Sequence, residues 1–246
     1  MASPLAGQTA LVTGAARRIG RAVALELASS GANVVLHYSR SSRDAEALAA
    51  EVAALGARAT LLQADLAQPD EVEALVSRAV ELAGRLDLLV NNASVFEPET
   101  LDAASLERLV RDVTVNAWAP LVLIRAFARQ LQRGRVVNLL DARVAGLDLA
   151  HAGYILSKHL LAVITRMAAV AFSPGLTVNA VAPGLILPPE GQDEAYLARL
   201  ARDLPLKRHG GPEDVARAVR FLLESDFITG QVVFVDGGYH LLEAAR

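Results

Sequence analysis

Thr9-Ala10-Leu11-Val12-Thr13-Gly14-Ala15-Ala16-Arg17-Arg18-Ile19-Gly20 decides the fold. Four residues with no charged side chain run into a turn of small residues and two arginines, and the apolar period then becomes helical. A strand without a polar face is one buried on both sides of a sheet. A small-residue turn between such a strand and a helix lets backbone N–H groups approach a pyrophosphate, whose charge the helix N-terminus favours. The same turn would serve equally as a tight connection carrying surface arginines, so the rest of the chain has to decide.

Outward from this stretch the alternation continues. Residues 33–37, 59–63, 86–91, 136–140, 178–182 and 232–235 read as further short apolar strands bounded by Gly, Asn, Asp or Pro. Residues 20–30, 43–55, 71–83, 106–133, 154–172 and 213–224 carry apolar side chains three and four apart and read as helices. Strict alternation implies right-handed crossovers and an α/β fold: a Rossmann-type doubly wound parallel sheet of seven strands, helices on both faces, ligands at the carboxyl ends of the strands. No linker or repeat divides residues 1–246, so one domain is expected. Pro188, Pro189 and Gly191 mark a substrate-loop region around residues 186–205.

Composition narrows the function. With 24 Lys plus Arg against 27 Asp plus Glu, the net charge of −3 offers no basic footprint for nucleic acid. No run approaches the ~18 apolar residues of a membrane span, and Met1-Ala2-Ser3-Pro4 has no secretory pattern, so a cytoplasmic protein is expected. The absence of cysteine excludes disulfides, thiolate metal sites and a thiol nucleophile. Five histidines without ligand spacing point to no metal.

After the second strand, His37-Tyr38-Ser39-Arg40-Ser41-Ser42 offers a cation and hydroxyls where an NAD-preferring protein places an acid on the ribose. That set suits a 2′-phosphate, so NADPH is the expected cofactor. Asp65, before Leu66, reads either as an acceptor for the adenine amino group or as a cap for the following helix.

Asn91-Asn92-Ala93, Asn116, Tyr154-x-x-x-Lys158, Thr13-Gly14, Pro183-Gly184 and Val235-Asp236-Gly237-Gly238 together resemble the short-chain dehydrogenase/reductase family from about residue 7 to 240. Residues four apart share a helix face, so the Lys158 ammonium would sit beside the Tyr154 phenol and lower its pKa from about 10. Tyr154 is then the proton donor opposite the hydride acceptor. The resemblance implies that Lys158 also anchors the nicotinamide ribose and that Asn116 holds a water of the proton relay. It further implies that the cofactor lies against Gly14, Arg18, Ile19, Tyr38, Ser39, Arg40, Ser41, Asp65, Leu66, Asn92, Ala93, Ser94, Pro183, Gly184 and Leu185 as well as Tyr154 and Lys158.

Three departures are informative. Asp141 stands where the family has its catalytic serine, Arg18 replaces a glycine of the phosphate turn, and Asn92-Ala93 is followed by Ser94-Val95-Phe96 rather than glycine. A carboxylate would repel the alkoxide forming from a ketone, whereas it suits a heterocycle with ring N–H donors or a ring nitrogen to be protonated. Arg18, Ser94, Phe96 and Asp141 are similar to the pteridine reductase branch, which includes bacterial dihydromonapterin/dihydrofolate reductases. Ile186 departs from the serine of its eukaryotic members. This implies a pterin substrate in a slot walled by Phe96, with Asp141 and Tyr154 jointly delivering a proton to ring nitrogen. Two other readings stand beside it: a reductase of an ordinary carbonyl such as a 3-oxoacyl thioester, and a non-enzymatic NADPH sensor. The resemblance also implies a homotetramer through the long helices, with Arg246 a candidate to enter a neighbour's site.

Overall fold

Each strand is apolar throughout because each is covered twice. In the computed structural model, which describes residues 5–131, 133–189 and 191–244, alternate side chains of one strand enter two different cores. Ala10 and Val12 pack with Val23, Leu27, Leu48 and Val219 on one face, while Leu11 packs with Leu75, Leu123 and Phe127 on the other. The strands are β1 (Thr9–Val12), β2 (Asn33–Tyr38), β3 (Ala59–Gln63), β4 (Leu88–Asn91), β5 (Gly134–Leu139), β6 (Leu176–Pro183) and β7 (Val232–Val235). All pairings are parallel, in the order β3-β2-β1-β4-β5-β6-β7. The order reverses between β1 and β4, which opens a crevice at their carboxyl ends.

The helices are α1 (Arg18–Ser29), α2 (Ser42–Ala54), α3 (Pro69–Ala83), α4 (Leu106–Val113), α5 (Ala119–Gln130), α6 (Ala152–Ala171), α7 (Glu194–Ala201), α8 (Pro212–Glu224) and α9 (Tyr239–Ala244). α1 packs on α8 over one face of the sheet, and α3 on α5 over the other.

Two expectations are corrected. The single helix expected over residues 106–133 is α4 and α5 joined by a π-helical turn at Thr114–Trp118. Pro120 has no N–H for the carbonyl of Asn116 four residues back, so the regular ladder cannot continue there. The expected loop of 186–205 contains α7, whose start is capped by the Asp193 carboxylate accepting from Tyr196 N at 3.1 Å.

α6 is the one described helix long and apolar enough to cross a membrane, but half of it is buried in the protein, and it carries the buried Lys158. It is a core helix. A buried polar chain fixes it to the sheet: Asn91 Nδ2 donates to Asn138 Oδ1 at 2.8 Å, and Asn138 Nδ2 to Thr165 Oγ1 at 2.9 Å. Asn91 and Asn138 are in register across β4 and β5, so the chain crosses the sheet in one step.

Candidate active site

Every expected binding segment lies at the carboxyl edge of the sheet. The turn after β1 is held by Thr13, whose hydroxyl donates to Val90 O and accepts from Asn92 N at 2.9 Å and Ala93 N at 3.0 Å. The Asn92 amide donates to the carbonyls of Thr13 and Gly14 at 2.9 and 3.1 Å. Gly14 has φ +61, and a Cβ there would stand 2.9 Å from Ala93 Cα, so the turn excludes a side chain. Arg18 also lies in the left-handed region, at φ +53. That conformation explains why the family favours glycine at this position; a side chain there costs about 1–2 kcal/mol. Its guanidinium donates to Pro188 O at 2.9 Å, tying the phosphate turn to the substrate loop.

α1 begins with no side-chain cap and no acid in its first turn. Its orphan N–H donors therefore face the turn, where a pyrophosphate would accept them. Ile19, beside them, packs on the core below.

His37 sits beneath this turn, 2% exposed. Its Nδ1 accepts from Gly14 N and its Nε2 donates to Ala64 O, both at 3.1 Å, so it joins the phosphate turn to the segment before Asp65. Burial pushes its pKa from 6.5 down to about 4, against the opposing bond to Ala64. The neutral form is therefore the folded one, and an unfolded chain takes up the proton first. Stability from this group is complete above pH 6.5 and disappears as the pH falls to about 4, a loss of roughly 3 kcal/mol. Denaturant titrations at neutral and acid pH should show it, and His37→Asn should flatten that part of the dependence.

After β2, Tyr38, Ser39 and Ser41 are partly exposed, and Arg40 projects into solvent with no hydrogen bond or ion pair among the described residues. An unpaired cation between hydroxyls fits a 2′-phosphate. Asp65 is not the cap of α3, a place Gln68 takes; its Oδ1 accepts from Ala67 N at 3.0 Å, an Asx turn that orients the carboxylate, while Leu66 is buried behind it. At the far side, Pro183 ends β6, and Leu185 O accepts from Gly210 N at 3.0 Å. Gly184 passes so close to β7's exit that a Cβ would lie 2.7 Å from Asp236 Cα.

The centre of the site is Asp141, which follows β5. The Tyr154 hydroxyl donates to its Oδ2 at 2.9 Å. Arg143 donates to the same carboxylate through its backbone N and Nε on Oδ1, both at 2.9 Å, and through Nη2 on Oδ2 at 2.7 Å. Burial pushes the Asp141 carboxyl up, but the Arg143 bonds and charge, with the Tyr154 bond, outweigh it and hold the group below its usual range. In this arrangement the Asp141 carboxyl is held in its ionised form.

The expected fall in the Tyr154 pKa is reversed. Burial and the Asp141 charge raise it well above 10, and the Arg143 cation offsets this only in part. Lys158 is buried with its Nζ donating to Leu139 O at 2.8 Å, and lies 5.6 Å from the phenol ring centroid. Burial lowers its own pKa to about 8 despite the pull of Asp141. The Tyr154 phenol is therefore protonated in the free protein.

Phe96 meets Tyr154 edge-on at 4.7 Å, while one of its faces stacks on His151 at 4.2 Å. Phe96, expected as a wall of the slot, thus stands beside Tyr154 with His151 on one face. Ser94 donates to Asn116 Oδ1 at 3.0 Å. The Asn116 amide also accepts from Val95 N and donates to Val95 O and Ser157 Oγ, so its side chain is fixed between the Ser94–Val95 segment and α6. Arg143, Asp148, His151 and His37 were not anticipated. Arg143 lies two residues from Asp141, a spacing that pairs side chains only because a 3-10 turn over Ala142–Ala145 bends the chain. Arg246 lies outside the described residues.

A crevice at the switch point, a helix N-terminus without a cap and a phenol–carboxylate–lysine set define a dinucleotide-dependent oxidoreductase. A family model described as enoyl-(acyl carrier protein) reductase matches residues 14–240. A 3-oxoacyl-[acyl-carrier-protein] reductase from Synechocystis is 37% identical over 243 residues, 95% of this chain and 97% of that protein. The crystal structure of FolM alternative dihydrofolate reductase 1 from Brucella canis, complexed with NADP, is 39% identical with a TM-score of 0.92, covering 98% of this chain and 97% of the other. A blue fluorescent protein from a metagenomic library, in complex with NADPH, is 35% identical with a TM-score of 0.87, covering 96% and 99%. The chain belongs to the short-chain dehydrogenase/reductase family.

Proposed function

We propose that this oxidoreductase reduces a dihydropterin-type heterocycle in the cytoplasm, as a homotetramer. Its cofactor is NADPH, and the free Arg40 between Ser39 and Ser41 is the group that favours the 2′-phosphate. Gly14, Arg18, Ile19, Tyr38, Asp65, Leu66, Asn92, Ala93, Ser94, Tyr154, Lys158, Pro183, Gly184 and Leu185 would hold the rest of it. Bound there, the cofactor supplies hydride to a C=N carbon. Arg40→Ala should weaken NADPH binding by about 10–100-fold, the loss of a charge-assisted contact, with NADH binding unchanged. Fluorescence titration with both cofactors measures this.

The observation that carries the substrate reading is the bond from Tyr154 to an ionised Asp141 in the serine's place. In the proposed reaction the C=N carbon takes the hydride, and the nitrogen takes one proton from the Tyr154 hydroxyl. The Lys158 ammonium supports the phenolate left behind. Asp141 accepts an N–H of the substrate ring, and the half-exposed Phe96 ring lines the slot beside it. An alkoxide forming from a ketone would instead meet the Asp141 charge.

The name carried by the Synechocystis relative favours a second reading, reduction of a 3-oxoacyl thioester. NADPH oxidation with dihydrobiopterin, dihydrofolate and an acetoacetyl thioester separates the two. Turnover of the thioester alone would overturn the pterin proposal. For the tetramer, α6 presents Leu156, Leu160, Val163, Met167 and Val170, each 41–79% exposed, on one stripe. Its spacing suits packing against a second copy of α6, and Met167→Glu should shift the sedimentation coefficient toward smaller species.

A further inference from the structure

We infer that Arg143 is a positioning residue: by occupying the Asp141 carboxylate it fixes Asp141 as a permanent acceptor and leaves proton delivery to Tyr154. The inference rests on the proposed site in taking Asp141 and Tyr154 as its centre. A carboxylate has about four acceptor positions. Arg143 takes three of them, through N and Nε on Oδ1 and Nη2 on Oδ2, and the Tyr154 hydroxyl takes the fourth. No position is left for a proton that would turn the acid into a donor.

Arg143 is itself braced. Its Nη1 donates to Asp148 Oδ2, and Asp148 is held in turn by His151 Nδ1 and by Ala150 N, both at 2.9 Å. The guanidinium carbon lies 5.2 Å from the Phe96 centroid and 5.5 Å from that of Tyr154. Swinging it away would take a cationic partner from two carboxylates and lift it off both rings. The other charged or titratable groups around Asp141 do not compete for it. Tyr154 and Lys158 come from α6, and Lys158 is bonded to Leu139 O. α9 packs on the turn that carries Arg143, and its His240 is paired with Asp236. Arg18 is bonded to Pro188 O.

Only the position used by Tyr154 can be vacated during the reaction, when the hydroxyl turns to the substrate. A substrate with an N–H beside the atom being protonated fills that vacancy, whereas a simple ketone leaves it open. The site therefore selects for an edge in which a hydrogen-bond donor adjoins the acceptor of the proton. Without Arg143, a buried carboxylate with one remaining partner favours its neutral form.

Carbon-13 NMR of the Asp141 carboxyl in the NADP-bound protein, assigned by its loss in Asp141→Asn, tests this directly. The wild-type group should stay ionised throughout the neutral range. In Arg143→Gln its midpoint should rise by about 1–3 pH units, the usual effect of a neighbouring arginine, and Arg143→Lys should restore part of the difference. The acid limb of kcat/KM, measured on whichever substrate the wild type reduces, should move with it. An Asp141 midpoint unchanged in Arg143→Gln, or a kcat lowered at every pH with the acid limb in place, would overturn the inference. If Arg143→Gln no longer binds NADPH, the wild type decides alone: an Asp141 that titrates near neutrality overturns it. Should only the thioester be reduced, the substrate proposal fails while this titration still gives its own answer.

Discussion

Tyr154→Phe should lower kcat by about 10²–10⁴-fold, the usual contribution of a general acid, and leave NADPH affinity nearly unchanged. The substitution removes one oxygen from a side chain that is 7% exposed and whose ring keeps its edge against Phe96. Arg143 still holds Asp141 on both oxygens, so the carboxylate stays in place and ionised. What disappears is the proton. Asp141 is ionised and the Lys158 ammonium is bonded to a backbone carbonyl, so neither takes the phenol's place as donor. The measurement is NADPH oxidation beside a fluorescence titration of cofactor binding, at neutral pH, since Lys158 begins to lose its charge as the pH rises through about 8. Retained turnover would place the donor elsewhere, whereas a parallel loss of binding would mean that the phenol holds the cofactor rather than serving the chemistry.

The sequence made the scaffold readable because its strands leave no ambiguity of period. The run over residues 86–91 is short, mostly apolar and stops at a polar residue, and its length and flanks favour a doubly covered strand, which the structure places at Leu88–Asn91. β1, β3 and β7 fall on the expected residues, and the others differ by a few residues at their ends. Long helices are less readable where a proline intervenes: residues 106–133 keep a helical period on both sides of Thr114–Trp118, and the pattern is silent about the wider turn between them. α7 was missed because Pro188, Pro189 and Gly191 dominate the reading of its surroundings.

At the site, the identity of the groups was legible and their protonation was not. Tyr154, Lys158 and Asp141 are named by motif and by departure from motif, and the fold brings all three together. The Tyr154 shift comes first from burial and then from the Asp141 charge, and which charge lies nearest is a matter of ångströms: Asp141 is in hydrogen-bond contact with the phenol, while the Lys158 ammonium is directed to Leu139 O. Helical spacing places the lysine on the correct face without saying where its tip goes. The same holds for Arg143, an arginine among many in an arginine-rich chain until the turn at Ala142–Ala145 folds it onto Asp141.

Asp141→Ser is the change that separates the pterin reading from its rival. It restores the residue type on which the family's carbonyl reductases resemble one another, at the same point after β5. For a substrate with ring N–H groups, the loss is a hydrogen bond to a charged acceptor, about 1.5–3 kcal/mol. Since 1.4 kcal/mol is a factor of ten, dihydropterin reduction should fall by about 10–100-fold. For an acetoacetyl thioester the sign is opposite, because a hydroxyl can donate to an oxygen that gains negative charge where a carboxylate repels it. The ratio of the two kcat/KM values therefore reports on the substrate edge even if the variant is less active on both. Asp141→Asn serves as the companion: it keeps the size of the side chain and removes only the charge, so a similar fall with pterin assigns the effect to the anion and not to a repacked pocket. If pterin reduction holds or rises in Asp141→Ser, the carboxylate is no part of recognition, and its close pairing with Arg143 and Tyr154 serves the framework of the site alone.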